Sequence, residues 1–238
     1  MNIVDLALIF LILLSVLFGI YRGFLRSMIN VLVLLLSFAL ALWISPLLSR
    51  VIAAKENSIL YRMIEYTEGA SRIPSIEEAR MDVAELTEDE INELVEAAAF
   101  TDPIPKLLKK NLTEQAYRKD GLITVEEYFN RSLVDITLNL FSCFVLAVFF
   151  YILFSILVAC VEYVVQFPVL AIGDGVFGAV FGALRGVLLC MILFLVVPAV
   201  LSVIPSNISV VEKLVNGSTL FGWFIRYNFF LMGIRGTV

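Results

Sequence analysis

Long apolar runs alternate with polar stretches along this chain. The apolar runs occupy residues 3–20, 27–44, 136–161 and 187–204. A helix rises about 1.5 Å per residue, so a helix through any of these runs would cross most of a bilayer core of roughly 30 Å. The pattern therefore predicts an all-α membrane protein with four transmembrane helices.

The polar stretches divide the four helices into two hairpins. Only a short linker separates the first two runs, which indicates a tight helical turn. The predicted organisation is a first transmembrane hairpin (1–46), an acidic helical extramembrane module (47–131), a second transmembrane hairpin with a glycine-rich segment (132–205) and an aromatic tail (206–238). The tail mixes aromatic with polar residues, which favours an interfacial C-terminal helix over a fifth span.

Proline and capping residues predict where the long helices begin and end. Pro46 is expected to close the second span. The segment TVEE at 124–127 is a capping box, from which one helix of about 40 residues, or roughly 60 Å, should run to a break at residues 167–168. Asp135 and Glu162 flank the apolar middle of this helix and are expected to mark the two membrane interfaces.

The stretch 47–131 is charged and predominantly acidic, but it keeps apolar residues at helical spacing. The segment TEDE at 87–90 is a second capping box, and Ile91, Leu94 and Val95 follow it on one helical face. We therefore expect a small folded helical module. Its acidic residues lack the spacing of a calcium loop, so a solvated helix face is expected and no metal site is predicted.

Composition strengthens the membrane prediction. Apolar residues make up 61% of the chain, charged residues only 16%, and the mean hydropathy is +0.96. Globular domains average roughly 45–50% apolar and about 25% charged residues. The chain should therefore lie in a cell membrane as a multi-pass protein with the lipid bilayer as its main partner. No basic patch suggests a nucleic-acid partner.

The residue types present restrict the available chemistry. The chain has no histidine, which excludes histidine-based triads and zinc sites of the HExxH type. Its three cysteines, at 143, 160 and 190, all lie inside apolar runs and are expected to be small buried side chains. No catalytic residue, cofactor-binding residue or cofactor is predicted.

Glycines spaced four residues apart occur in two places. Gly178, Gly182 and Gly186 form one stripe, and Gly19 and Gly23 form another. The surrounding pattern G-x-x-R-G-x-L is the same in both, which indicates either a weak internal repeat or a coincidence. In a membrane a stripe of small residues lets another helix approach closely. We therefore expect the two stripes to be helix-packing surfaces that contact each other.

Charged residues near the spans predict the membrane orientation. Asp5 is expected at an interface, where a carboxylate favours a helix N-terminus. Arg22 and Arg185 are expected either to anchor their spans at the interface or to pair with a carboxylate such as Asp174. Because arginines tend to remain cytoplasmic, the N-terminus and residues 47–131 are expected to be extracytoplasmic.

Asp5, the segment GIYRG at 19–23 and the block GDGVFGAVFGALRG at 173–186 together resemble the colicin V production (CvpA) family of bacterial inner-membrane proteins. The resemblance implies a multi-pass protein linked to production or export of a peptide toxin and to envelope homeostasis. It implies no catalytic residue. A homo-oligomer and partner proteins of the export or envelope systems are both left open.

Two other functions are compatible with the sequence. A small transporter or channel could assemble as an oligomer across the glycine faces. An intramembrane aspartyl protease is a third hypothesis, because AIGD at 171–174 is similar to the G-x-G-D motif of such enzymes. That hypothesis requires Asp174 to be buried within a span and to face a second carboxylate.

Overall fold

The computed structural model describes residues 2–54, 72–164, 174–203 and 217–237. Within these residues the chain is helical and contains no β-strand, although an isolated β-bridge joins Asp82 to Thr124. Four helical segments are long and apolar enough to cross a membrane: Ile3–Arg22, Phe24–Ala53, Val125–Val161 and Asp174–Ser202. The predicted all-α fold with four membrane-spanning segments is confirmed.

The helices of the described residues are α1 (Ile3–Arg22), α2 (Phe24–Ala53), α3 (Ile76–Arg80), α4 (Glu88–Ala97), α5 (Ile104–Thr113), α6 (Val125–Val164), α7 (Asp174–Leu193), α8 (Val196–Val203) and α9 (Thr219–Arg226). Short 3-10 turns occur at Val83–Glu85, Arg118–Asp120 and Leu231–Gly233.

A single residue separates the first two spans. Gly23 has a φ of +81°, which a residue with a side chain rarely adopts, and its N–H donates to the Gly19 carbonyl at 3.0 Å. That bond closes α1, and α2 begins at the next residue, Phe24. The short turn expected between the first two spans is therefore built on a glycine with positive φ.

The second span does not end at Pro46 as expected, because α2 continues to Ala53. A proline removes only one backbone hydrogen bond, and serine hydroxyls help a membrane helix to tolerate that loss. Here Ser49 Oγ donates to the Ser45 carbonyl at 2.8 Å, in the turn that contains the proline.

The fourth span also differs from the prediction. It was expected at residues 187–204, after the glycines, but α7 starts at Asp174 and includes them. Glycine lowers helix propensity in water, whereas in a membrane the helix keeps its internal hydrogen bonds and gains a flat packing face. A turn interrupts the span after Leu193, where Pro198 has no N–H to donate one turn back.

The third span follows the capping prediction. Helix α6 is 40 residues long. Glu127 Oε2 accepts the N–H groups of Ile123 and Thr124 at 2.8 and 2.9 Å, which completes the capping box. The expected break at residues 167–168 lies outside the described residues.

The described chain divides into two compact units. The first unit consists of described residues within 1–44, 143–194 and 206–228. In it α1 packs chiefly along α7 and also touches α9. Phe194 stacks on Phe224 with ring centroids 5.3 Å apart, and the centroid of the tilted Phe221 ring is also 5.3 Å from that of Phe194. Aromatic side chains of the tail thus contribute to the core of this unit.

The second unit consists of described residues within 45–142, 195–205 and 229–238. Its core is formed by apolar side chains of α4, α5, the start of α6 and the adjoining turns: Val83, Ile91, Leu94, Val95, Ala98, Leu108, Leu112, Tyr117, Val125, Tyr128 and Phe129. The predicted apolar face of α4 is therefore buried. The capping box at its start is present too, with Glu90 Oε2 accepting from the Thr87 N–H at 2.8 Å.

Candidate functional site

The two glycine stripes lie against each other. Gly186 is next to Ile12 and Ser15, Gly182 is next to Ser15 and Gly19, and Gly178 is next to Gly19. Residue numbers rise along one helix as they fall along the other, so α1 and α7 run antiparallel. All three α7 glycines are buried.

The contact between these helices is made by backbone atoms. A Cβ added to Gly182 would lie 2.6 Å from the Ser15 carbonyl oxygen, and one added to Gly19 would lie 2.8 Å from the Gly182 Cα. Real Cβ atoms essentially never come so close to another atom. Any side chain at these positions would therefore push the two helices apart.

Asp174 connects the start of α7 to the first hairpin. Its Oδ1 accepts the Phe24 N–H at 2.6 Å, so it caps the N-terminus of α2. A Cβ at Gly23 would lie 2.8 Å from Asp174 Cγ, so a side chain there would displace this carboxylate. The turn between α1 and α2 is thus shaped to receive this carboxylate.

Arg185 lies in the middle of the span. It was expected at the start of the span, but at 1.5 Å per residue it is about 16 Å from the first residue of α7. One guanidinium nitrogen donates to the Tyr151 hydroxyl at 2.5 Å, and the guanidinium carbon is 6.0 Å from that ring centroid. Among the described residues, Arg185 makes no ion pair with Asp174.

Arg22 is the last residue of α1 and is exposed. It lies beside the hairpin turn, a place compatible with the expected interfacial anchor.

Asp5 holds two helices together. It is 3% exposed and therefore buried against other residues of the chain, and its interfacial position stays a prediction. One carboxylate oxygen accepts the Asn2 N–H at 3.0 Å in a capping box that starts α1. The other accepts the Ser218 hydroxyl at 2.5 Å and the Leu220 N–H at 3.0 Å at the start of α9.

The two aspartates of this unit cannot act as a catalytic pair. Asp5 lies at the first turn of α1, whereas Asp174 lies beside Gly23 at its other end. A helix of 20 residues separates them by roughly 30 Å. In the described part of the chain, no group of three or more His, Cys, Asp or Glu side chains could hold a metal ion.

The second unit contains a buried polar cluster that the sequence analysis missed. Asn111 Nδ2 lies 3.0 Å from Ser132 Oγ and 2.9 Å from the Gly236 carbonyl oxygen. The Tyr117 hydroxyl donates to Asp135 Oδ2 at 3.1 Å. Burial, together with the Asp135 charge, raises the pKa of Tyr117 well above its ordinary value.

Asp135 therefore belongs to a buried network, and its expected place at a membrane interface stays a prediction. Arg131 Nε lies 3.3 Å from its other carboxylate oxygen. One signal was available in the sequence, because Ser132, Asp135 and Asn139 share one face of an otherwise apolar helix. Their partners could not be read from that pattern, because Asn111 and Tyr117 lie in an earlier segment and the carbonyls that Asn139 contacts lie in the tail.

The family described as colicin V production protein matches residues 4–67 and 119–228, which is more than two thirds of the chain. These segments contain both glycine stripes, Asp5, Asp174 and Arg185. The chain belongs to the colicin V production family. The match to this family omits residues 68–118, which hold α3, α4 and α5. Searches of the curated proteins and of the solved structures found no match.

Proposed function

We propose that this member of the colicin V production family is a non-enzymatic membrane protein that supports production or export of a peptide toxin and maintenance of the cell envelope. The observation that carries the proposal is the family match across both transmembrane regions.

The use of the polar residues also supports a packing role. Asp5 and Asp174 both accept backbone N–H groups at helix starts, which stabilises the helices by satisfying otherwise unpaired donors. Carboxylates engaged in this way hold structure instead of activating water. The lipid bilayer and either a second copy or proteins of the export and envelope systems are the partners of this role.

A secretion assay tests the proposed function. The gene would be deleted in a strain that makes a colicin V type peptide, and the peptide would be quantified in cells and in medium. We expect less peptide in the medium and greater sensitivity to detergent, both restored by the wild-type gene. Normal secretion and normal detergent resistance in the deletion strain would contradict the proposal.

The proposed orientation places the N-terminus and residues 47–131 outside the cytoplasm. Single cysteines at Ser75 and Thr237, introduced after the natural cysteines are replaced, would report it through a membrane-impermeant thiol reagent. The proposal expects both to react in intact cells. Labelling at Ser75 only after lysis would contradict the proposed orientation and indicate the reverse one.

A small oligomeric transporter or channel is the second candidate. The observation in its favour is Arg185, because a charged residue in the middle of a span is costly and often marks a ligand pathway. Reconstituted vesicles containing the purified protein separate the candidates. Robust flux of ions or small solutes, lost in an Arg185→Gln variant, would favour transport over a packing role.

A further inference from the structure

A cavity of about 550 Å³ opens in the first unit between the α1–α2 turn, the later part of α6 and the middle of α7. Three of its lining residues are arginines: Arg22, Arg26 and Arg185. None of the described lining residues is acidic. Its size is within the range of small-molecule sites, which is about 300–1,000 Å³.

Asp174, the carboxylate that caps α2, is not part of the cavity wall. Its Oδ1 accepts the Phe24 N–H at 2.6 Å. Charged residues within membrane segments are normally paired or face a water-filled space. The concentration of three guanidinium groups around one cavity therefore favours an anionic occupant.

Two buried polar atoms of the lining residues are unsatisfied. Arg185 Nε and Ser155 Oγ have no hydrogen-bond partner among the described residues. Arg185 already gives one terminal nitrogen to the Tyr151 hydroxyl, which fixes the orientation of its guanidinium group. A buried donor without an acceptor costs about 1–3 kcal/mol, and more when the group is charged. An acceptor oxygen that reaches Arg185 Nε would satisfy this donor.

The cavity also has an apolar wall. Ile152 and Ile156 line it from α6 and are 54% and 57% exposed, within the membrane-spanning part of that helix. The arginines thus lie next to an open hydrocarbon-like surface. This arrangement suits a molecule with an anionic head and an apolar chain better than a small soluble ion.

We propose that this cavity binds a phosphate-bearing anion through Arg22, Arg26 and Arg185, and that the anion is the headgroup of an anionic phospholipid. Guanidinium groups match phosphate oxygens with paired hydrogen bonds. The lipid chain lies along Ile152 and Ile156. This site goes beyond the proposed role in toxin export and does not depend on it.

Lipid titration of the purified full-length protein in detergent tests the proposal. Phosphatidylglycerol and phosphatidylcholine are added separately, and bound lipid is counted by native mass spectrometry. We expect phosphatidylglycerol to bind about tenfold tighter or more, since hydrogen bonds between charged groups each contribute that much. Equal binding of the two lipids would overturn the proposal.

Matched arginine variants connect the binding to the cavity. Arg185→Gln should lower phosphatidylglycerol affinity about tenfold, and Arg185→Lys should lower it less because the charge remains. Arg50→Gln is the control, since it removes the same charge from an exposed residue that does not line the cavity. An equal loss in the control would mean that any surface charge attracts the lipid, which refutes the site.

Two further measurements keep the test decisive. If Arg185→Gln does not fold, as judged by circular dichroism, Arg22→Gln and Arg26→Gln replace it, because both side chains are exposed. Inorganic phosphate is then added as a competitor. Retention of phosphatidylglycerol supports the lipid source, whereas displacement by phosphate overturns that source and assigns the cavity to a soluble anion.

Discussion

The packing of α1 against α7 differs in kind from the packing within the acidic module. Glycine backbones make the contact between α1 and α7, which leaves no space for a methyl group at Gly182. In the acidic module the packing is made by large side chains such as Leu108 and Phe129, which are fully buried. Lipid is as apolar as leucine, so membrane helices gain little by burying large side chains and more by close approach. The amphipathic helices of the module are stabilised by removing apolar surface from water.

The largest loss of stability should come from a substitution that creates a cavity in the core of the acidic module. Phe129→Ala is expected to destabilise this unit by about 3–5 kcal/mol, because Phe129 is 0% exposed and its removal leaves an unfilled space. Hydrogen exchange at the α4 and α5 amides measures the loss. Ile123→Ala, at a side chain 49% exposed, should change exchange very little. Equal effects from the two variants would contradict the assigned core.

A smaller loss of stability is expected in the first unit. There the damaging change is the addition of a methyl group and not the removal of a side chain. Gly182→Ala should destabilise the protein by about 1–3 kcal/mol through overpacking against the Ser15 carbonyl. Gly222→Ala is the control, because nothing lies within 4 Å of a Cβ there. It should be neutral or stabilising by up to about 1 kcal/mol. Melting temperature in detergent compares the two, and Gly182→Leu should also disrupt assembly.

The hydrogen bond by which Asp174 caps α2 should contribute about 1 kcal/mol to the stability of the folded protein. Asp174→Ala leaves the Phe24 N–H without its acceptor, whereas Asp174→Asn keeps an acceptor oxygen and should recover much of the loss. Combining Asp174→Ala with Arg185→Gln should give additive losses of stability, since the two side chains have separate partners. Strong non-additivity would indicate a coupling that these contacts do not explain.

The smallest effect concerns pH and the cap of α4. Hydrogen bonds from Thr87 hold the pKa of Glu90 below its ordinary value. The charged carboxylate therefore stabilises the folded module above the unfolded pKa, and this contribution disappears as pH falls through the lower folded value. Exchange at the first α4 amides should rise on acidification. Glu90→Gln should remove this dependence, whereas Glu93→Gln, outside the capping box, should retain it.

The sequence predicted those features that depend on local pattern. The four spans follow from apolar runs, and the starts of α4 and α6 follow from capping boxes whose partners are three residues apart. Helix ends were less predictable. Pro46 is an ordinary helix breaker by composition, yet the membrane helix continues past it because only one hydrogen bond is lost.

Features that depend on long-range contacts could not be read in the same way. The burial of Asp5 requires Ser218 and Leu220, which are more than 200 residues away in the chain. Arg185 lies in mid-span because α7 begins at Asp174, whereas the sequence analysis placed the span only at the uninterrupted apolar run 187–204. The family resemblance, by contrast, rested on short motifs and is confirmed.

The helices α1 and α7 lie far apart in the sequence, and this separation has a consequence for biosynthesis. Phe24 and Asp174 are 150 positions apart, so a ribosome adding about 5–20 residues per second completes the partner roughly 8–30 s after the first hairpin. During that interval the α1 glycine face has only lipid, or another nascent chain, to contact. Correct assembly therefore requires α1 and α2 to stay folded in the membrane, without binding another partner through the glycine face, until α7 has been synthesised.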